Sequence, residues 1–583
     1  MYDLSGSMYN RYQKIRSGWE DDINVKGLNF KPEFRIRRRV TLNILLRVWR
    51  TQTIIGEIRL QVEAFLAQHR FRELHRKFLK KLDGLEKIHP IFSIRYLYSL
   101  INSGKYNQAF NYSKKMERKK QESYESNLII GIYYLKNRKF EISNRYFEKA
   151  KSRKPLSILD NYIVNSLYLW SMVNDLNKNQ ALIRLNRFDN RFENLKKIQN
   201  IFVNCFFDSN ETNFFFEKLI NDKKTDFSRY SYFYANYLNS KKKKEDAKKI
   251  IQEALERYPR NLLLNQYKID LNNVKHKSDF DCKKVNNVVA ELIYISANAL
   301  SSQSIHSMSN FYLNLSKFLN ADFHAFDTLL AENSYKINDY SNAKKIYSKL
   351  TSHGSAYKWY ANKQISRILI DEDQKKSSLN LLEEAYNSLP IKGVYETFDY
   401  AEFLKNNEEF KESIKYYTEI LDKIDKDHPL YPEVTDGRGV AYERIGDWNK
   451  AEKDLLNSLQ ASPDQAYVIN YLAYSWIEKG IKIEKSLNML EKANRLKKND
   501  PFIIDSLGWA LFKLKKYEDS KDYLRNAVSL LPADPIVNDH YGDVLWKTGN
   551  KIQARYYWNY VLNLKNTEKD LKDKIELKLI EGL

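Results

Sequence analysis

Residues of similar size recur every 34 positions along this chain, and that period restricts the fold more than any other feature. Across the last two units, Leu507-Gly508 corresponds to Tyr541-Gly542, Leu511 to Leu545 and Ser520 to Ala554. Leu524 likewise corresponds to Trp558, and Ala527 to Val561. The unit before them holds Leu472-Ala473, Trp476, Ser486, Leu490 and Ala493, with one extra residue in the turn Gly480-Ile481-Lys482-Ile483. Earlier still come Gly439, Tyr442, Gly446, Trp448, Ala451, Leu455, Ser458 and Pro463. Further copies continue back through Ala401 and Tyr417, more weakly Leu382 and Ala385, then Ala331 and Ala343, Ala235 and Ala247, a very good one at Gly131 and Phe147, and a looser one at Gly104 and Ala109. A fixed period of about 20–50 residues marks a chain of stacked units, none of which buries its apolar face alone.

The spacing inside a unit assigns its structure. Large residues step by four, as on one face of a helix. After a turn come two small residues seven apart, such as Ser520 and Ala527 or Ala247 and Ala254. Seven residues are two helical turns, so both lie on one face and let a second helix approach the first closely. Gly508 and Ala473 play the reciprocal part in the first helix. Proline ends the second helix at Pro155, Pro259, Pro390, Pro463 and Pro532, because it has no N–H to give. The fold expected is all-α: a right-handed superhelical solenoid of antiparallel helix pairs.

This pattern resembles the tetratricopeptide repeat family over most of 89–565, most closely over 394–565. Departures are Ser at many first small positions, and Thr435 and Asn538 where an apolar residue is usual. The stretches from Gly446 to Gly480 and from Asp505 to Trp558 look like a widespread group of uncharacterised proteobacterial repeat proteins. The resemblance implies a protein-binding scaffold or adaptor rather than an enzyme. It also implies that the first helix of each unit lines a concave groove at its second, fifth, ninth, twelfth and thirteenth positions.

Those positions give the candidate site. The fifth is Asp436, Asn470, Asp505 and Asp539, at steps of 34, 35 and 34. The ninth is Val440, Tyr474, Trp509 and Asp543; the twelfth is Phe512 and Trp546, and the thirteenth Lys513 and Lys547. Acids beside aromatics, partly exposed on the groove, suit an extended peptide with basic side chains. The alternative is that Trp509 and Tyr474 only pack between neighbouring helices.

Chemistry of other kinds has no anchor in the sequence. There is no HExxH, no GxGxxG or GxxxxGK[ST] loop and no GxSxG elbow, so no catalytic residue, metal or cofactor is expected. His540 beside Asp539 reads as a surface or groove residue rather than a ligand. The two cysteines, Cys205 and Cys282, carry no CxxC spacing and read as reduced, buried thiols, with a single bridge left open. Lys and Arg number 97 against 74 Asp and Glu, a net charge of +23. Residues 1–80 hold 17 of the basic residues against 8 acidic ones, and Arg35, Arg37, Arg38 and Arg39 cluster there. They support a secondary expectation, contact with RNA or an anionic membrane. The AT-rich residue usage explains much of the remaining charge.

No run reaches the ~18 apolar residues of a membrane span. The N-terminus shows no export signal, so the chain reads as cytoplasmic unless its start is misplaced. The expected map is a basic arm with an irregular helical region (1–88), two N-terminal repeats (89–157) and a degenerate helical segment (158–227). A single repeat (228–261), a second degenerate segment (262–322), the C-terminal array (323–565) and a capping helix (566–583) complete it.

Overall fold

The structure, a computed structural model, describes residues 90–153, 156–272, 278–565 and 567–583. Arg35, Arg37, Arg38, Arg39 and Pro155 lie outside the described residues. Within them every regular element is a helix. They divide into two units, 90–390 and 391–583.

The first unit contains α1 (Pro90–Asn102), α2 (Tyr106–Arg118), α3 (Tyr124–Lys136), α4 (Phe140–Lys151), α5 (Ile158–Ser171), α6 (Lys178–Asn186), α7 (Glu193–Phe206), α8 (Thr212–Ile220), α9 (Ser228–Ser240), α10 (Lys244–Arg257), α11 (Leu262–Asp270), α12 (Val285–Ser302), α13 (His306–Leu319), α14 (Ala325–Lys336), α15 (Tyr340–Leu350), α16 (Ser355–Asp371) and α17 (Lys375–Asn387). The second contains α18 (Val394–Asn406), α19 (Phe410–Leu421), α20 (Tyr431–Arg444), α21 (Trp448–Ala461), α22 (Ala466–Glu478), α23 (Ile483–Leu496), α24 (Pro501–Lys513), α25 (Tyr517–Leu530), α26 (Pro535–Lys547), α27 (Lys551–Leu562) and α28 (Lys569–Glu581). The in-phase helices pair antiparallel, first with second.

Within a pair the small residues do what their spacing requires. Ala247, Ile251 and Ala254 of α10 are buried against α9, and Ser520, Leu524 and Ala527 of α25 against α24. A Cβ on Gly508 would stand 2.7 Å from Leu524 Cγ, so a larger residue here would force Leu524 to shift. Four of the serines that stand in place of alanine have a structural reason. Ser143 Oγ donates to the Gly131 carbonyl at 2.8 Å, and Ser309, Ser378 and Ser520 donate to Ala297, Ser366 and Gly508 at 2.7 Å. Each bond spans twelve residues, from second helix to first, and uses a carbonyl lone pair that the helix ladder leaves free. The unit that is one residue longer carries its excess in the turn, where Gly480 and Lys482 both have positive φ.

The first unit departs from a simple row. Helices α12 and α13 turn back and lie across the first helices of the opening pairs, α12 on α5 and α13 on α1 and α3. Tyr98 stacks on Phe311 at 4.2 Å and Tyr106 meets Phe318 at 4.5 Å. Lys136 Nζ donates to the Leu319 carbonyl at 3.0 Å, and Tyr312 OH to Asp160 Oδ1 at 2.8 Å. One apolar core therefore runs from Leu97 to Ile368.

A strap of residues 278–284 delivers α12. Asn236 Nδ2 donates to the Phe280 carbonyl at 2.7 Å, Asn320 Nδ2 to that of Asp279 at 3.0 Å, and Lys283 pairs with Asp208 at 3.1 Å. The same strap sets Cys282 on the end of α7, where it forms a disulfide with Cys205 across a Cα–Cα distance of 6.0 Å. This corrects the expectation of two reduced thiols: 77 residues of separation conceal a neighbourhood created by the return of the chain. Beneath the strap Arg229 makes a two-pronged pair with the fully buried Glu291, at 2.7 and 2.8 Å, with Tyr294 under the guanidinium.

Candidate partner-binding face

The candidate residues from Asp436 to Lys547 stand on the first helices α20, α22, α24 and α26, and Asp436 and Val440 of α20 are buried. Their surroundings are not those of an open groove. Asp505 is fully buried and Trp509 is 6% exposed; Asn470, Tyr474, Asp539 and Asp543 are buried too. The expectation that Asp505, Trp509 and Asp539 are partly exposed is corrected, and the reason is the next repeat. Asp505 accepts from or pairs with His540 Nδ1 at 3.0 Å, one unit further on. The His540 ring stacks on Trp509 at 3.9 Å, and Trp509 in turn on Phe512 at 4.7 Å. Trp509 Nε1 donates backwards to Glu478 Oε1 of α22 at 2.6 Å. The acid and aromatic positions thus form a spine that ties each first helix to its neighbours. Packing between helices accounts for Trp509, and the Tyr474 ring lies 6.4 Å from that of His540, tilted against it.

At the end of the spine α28 supplies the partner. Lys578 Nζ donates to Asp539 Oδ1 at 2.6 Å and to Asp543 Oδ1 at 2.7 Å. Burial and the neighbouring Asp539 charge push the Asp543 carboxyl up to about 7, while Lys578 pulls it down. Burial lowers the Lys578 ammonium, but the two acids outweigh it and hold the group above its ordinary value. Asn470 differs from these: its Oδ1 is buried with no hydrogen-bond partner.

What remains accessible are the ends of the first helices. Phe512 and Trp546 are half-buried, and Lys513 and Lys547 are exposed. Lys513 stands over the Trp509 ring at 4.7 Å, and Lys547 Nζ donates to the Leu583 carbonyl at 3.1 Å. The sequence reading missed Glu478, His540 and Lys578 as members of the spine. One signal was available: Lys569 lies 34 residues after Pro535, so α28 continues the phase as a further first helix.

Among the described residues no group of three or more His, Cys, Asp or Glu could hold a metal ion. No described helix is long and apolar enough to cross a membrane.

Antiparallel pairs with a small-residue crossing, repeated in register, define a helical-repeat scaffold. The tetratricopeptide repeat family model matches residues 314–567, somewhat less than half of the chain. It is 28% identical over 177 residues to a TPR repeat-containing protein, PA4667, of Pseudomonas aeruginosa, an alignment covering 30% of this chain and 29% of that one. It is 34% identical over 125 residues to the interferon-induced protein with tetratricopeptide repeats 2 of Mus musculus, covering 20% and 26%. The chain thus spans less than a third of the length of either relative. Among solved structures, the TPR protein TTC0263 of Thermus thermophilus aligns at 14% identity over 32% of this chain and all of its own, with a TM-score of 0.28. MamA of AMB-1 aligns at 18% identity over 30% and 99%, with a TM-score of 0.26.

Proposed function

We propose that the chain is a non-catalytic adaptor that holds a protein partner on its C-terminal repeats, 394–565. The observation that carries this reading is the occupied face in the first unit. There α12 and α13 lie on the first helices α1, α3 and α5, through stacked aromatics and side chains donating to helix-end carbonyls. The chain itself thereby displays what such a face accepts: a helical or peptide segment held by ring contacts and polar ends. In the second unit, α22, α24 and α26 pack against their array neighbours and keep Phe512, Lys513, Trp546 and Lys547 accessible. A partner peptide or surface reaches the array there, while Asp505, Asp539 and Asp543 stiffen it from within. Affinity capture with the intact chain, compared with a version ending before Val394, tests the reading. A protein retained by the intact chain and lost from the shortened one supports it. Equal capture by both, or none by the intact chain, overturns it.

A further inference from the structure

Three tryptophans of the second unit are held in the same way. Trp476 Nε1 donates to Glu452 at 2.6 Å, with Lys482 and Lys485 over the ring at 4.5 and 5.3 Å. Trp509 Nε1 donates to Glu478 at 2.6 Å, with Lys513 over the ring at 4.7 Å. Trp558 Nε1 donates to Asp543 at 3.0 Å, with Lys578 over the ring at 5.8 Å. A carboxylate at the indole N–H fixes the ring, and the negative ring face then attracts an ammonium. The three differ in what the ammonium reaches beyond the ring. Lys578 is enclosed and ends on two carboxylates, Asp539 and Asp543. Lys482 is paired with Glu452 at 2.5 Å. Lys485 and Lys513 are exposed, and among the described residues neither has a carboxylate within ion-pair distance.

The row extends to both sides. Lys479 stands over Trp448 at 4.8 Å and Lys551 over Trp546 at 5.1 Å, both exposed and likewise without an ion pair among the described residues. All four lysines lie where a first helix ends or a second begins. The helix dipole explains a cation at Lys479 and Lys513, which close first helices. It opposes one at Lys485 and Lys551, in the opening turns of α23 and α27. Lys485 adds to the positive field that Lys482 sets around Glu452, whereas Lys551 stands against the dipole with only the Trp546 ring beneath it.

We propose that this edge, marked by Lys479, Lys485, Lys513 and Lys551, docks an acidic, extended segment of a partner protein. The inference rests on the adaptor reading and gives its partner a chemistry. Lys578 on Asp539 and Asp543 is the internal precedent: the same ring-backed ammonium already satisfied by carboxylates. A nucleic acid fits less well, because it needs open aromatic faces for its bases: Trp476 and Trp509 are 0% and 6% exposed, and the half-buried Trp448 and Trp546 lie under Lys479 and Lys551. Helices in contact stand about 8–10 Å apart. An extended chain covers that in about three residues, so acids three apart suit Lys479, Lys485 and Lys513 on the consecutive helices α22, α23 and α24, with Lys551 on α27 further along.

The test is fluorescence anisotropy of the full chain with a labelled peptide of repeating Glu-Ser-Ser, its Gln-Ser-Ser counterpart and an oligouridylate of equal length. The Glu peptide is expected to bind, less tightly as salt rises, and the Gln peptide not to bind. Lys479→Gln, Lys485→Gln, Lys513→Gln and Lys551→Gln together should weaken binding by about tenfold or more, with unchanged circular dichroism. Full affinity in that variant overturns the proposal, as does a wild-type chain that ignores the Glu peptide. So does tighter binding of the oligouridylate through the same lysines, which would make nucleic acid the occupant. The lysate experiment separates the two readings. A variant that still captures the wild-type partner refutes the acidic edge and leaves the adaptor standing. A wild-type chain that captures nothing sinks the adaptor itself.

Discussion

Ser143, Ser309, Ser378 and Ser520 stand where the repeat pattern calls for alanine, and each turns its hydroxyl to the carbonyl twelve residues back. A buried hydroxyl left unpaired costs about 1–3 kcal/mol, whereas the bond it makes is worth a net ~1 kcal/mol. Ser520→Ala should therefore lower stability by roughly 0.5–1.5 kcal/mol, and the same change at exposed Ser529 by less than about 0.5 kcal/mol. Gly508→Ala should cost more, about 1–3 kcal/mol, because its Cβ meets Leu524. Urea midpoints decide it; equal effects at Ser520 and Ser529 would contradict the bond. The buried acids behave differently from surface charges. Asp505→Lys strands a cation where His540 now stands, and a loss of several kcal/mol is expected. Asp543 adds a pH dependence. Its folded carboxyl is raised to about 7 from an ordinary 3.8, so the folded state holds a proton that the unfolded chain has released. Stability should fall as pH rises through that window and level off above it. Asp543→Asn should flatten the slope, and slopes that match in both proteins would remove Asp543 from the account.

At the scale of elements, the in-phase pairs were readable because their signal is local. A glycine or alanine, a serine or alanine twelve residues on and a closing proline all act within one pair. Helices α12 and α13 hid because their neighbours are far off in sequence. Tyr98 against Phe311 and Tyr106 against Phe318 replaced the small-residue signature with aromatics. Only the step from Ala297 to Ser309 kept the pattern. The candidate face was half readable for a related reason. The 34-residue register placed Asp505, Trp509 and Asp539 on the right helix face, but it could not show that His540 and Lys578 of the following helices would cover them. The Cys205–Cys282 bridge belongs to the same long-range closure. Cys282→Ser should cost about 2–4 kcal/mol. Alkylation of the native protein without reductant should find no free thiol, and full labelling of both cysteines would refute the bridge.

At the scale of the whole molecule, the described residues hold separate cores, one from Leu97 to Ile368 and others within 398–575. Repeat arrays couple mainly to nearest neighbours. Denaturation of the full chain should therefore show more than one transition. Cys282→Ser should move one of them and Gly508→Ala another, while a single transition shifted by both would indicate one cooperative body. The return of α13 onto the opening pairs also sets a timetable. The bond from Lys136 to Leu319 spans 183 residues. A ribosome adding about 5–20 residues per second needs roughly 10–40 s to bridge that gap. Throughout that interval Tyr98, Tyr106 and Tyr133 have been made but lack the rings of Phe311 and Phe318. The nascent chain thus carries an uncovered aromatic face for many seconds before α13 arrives to close it.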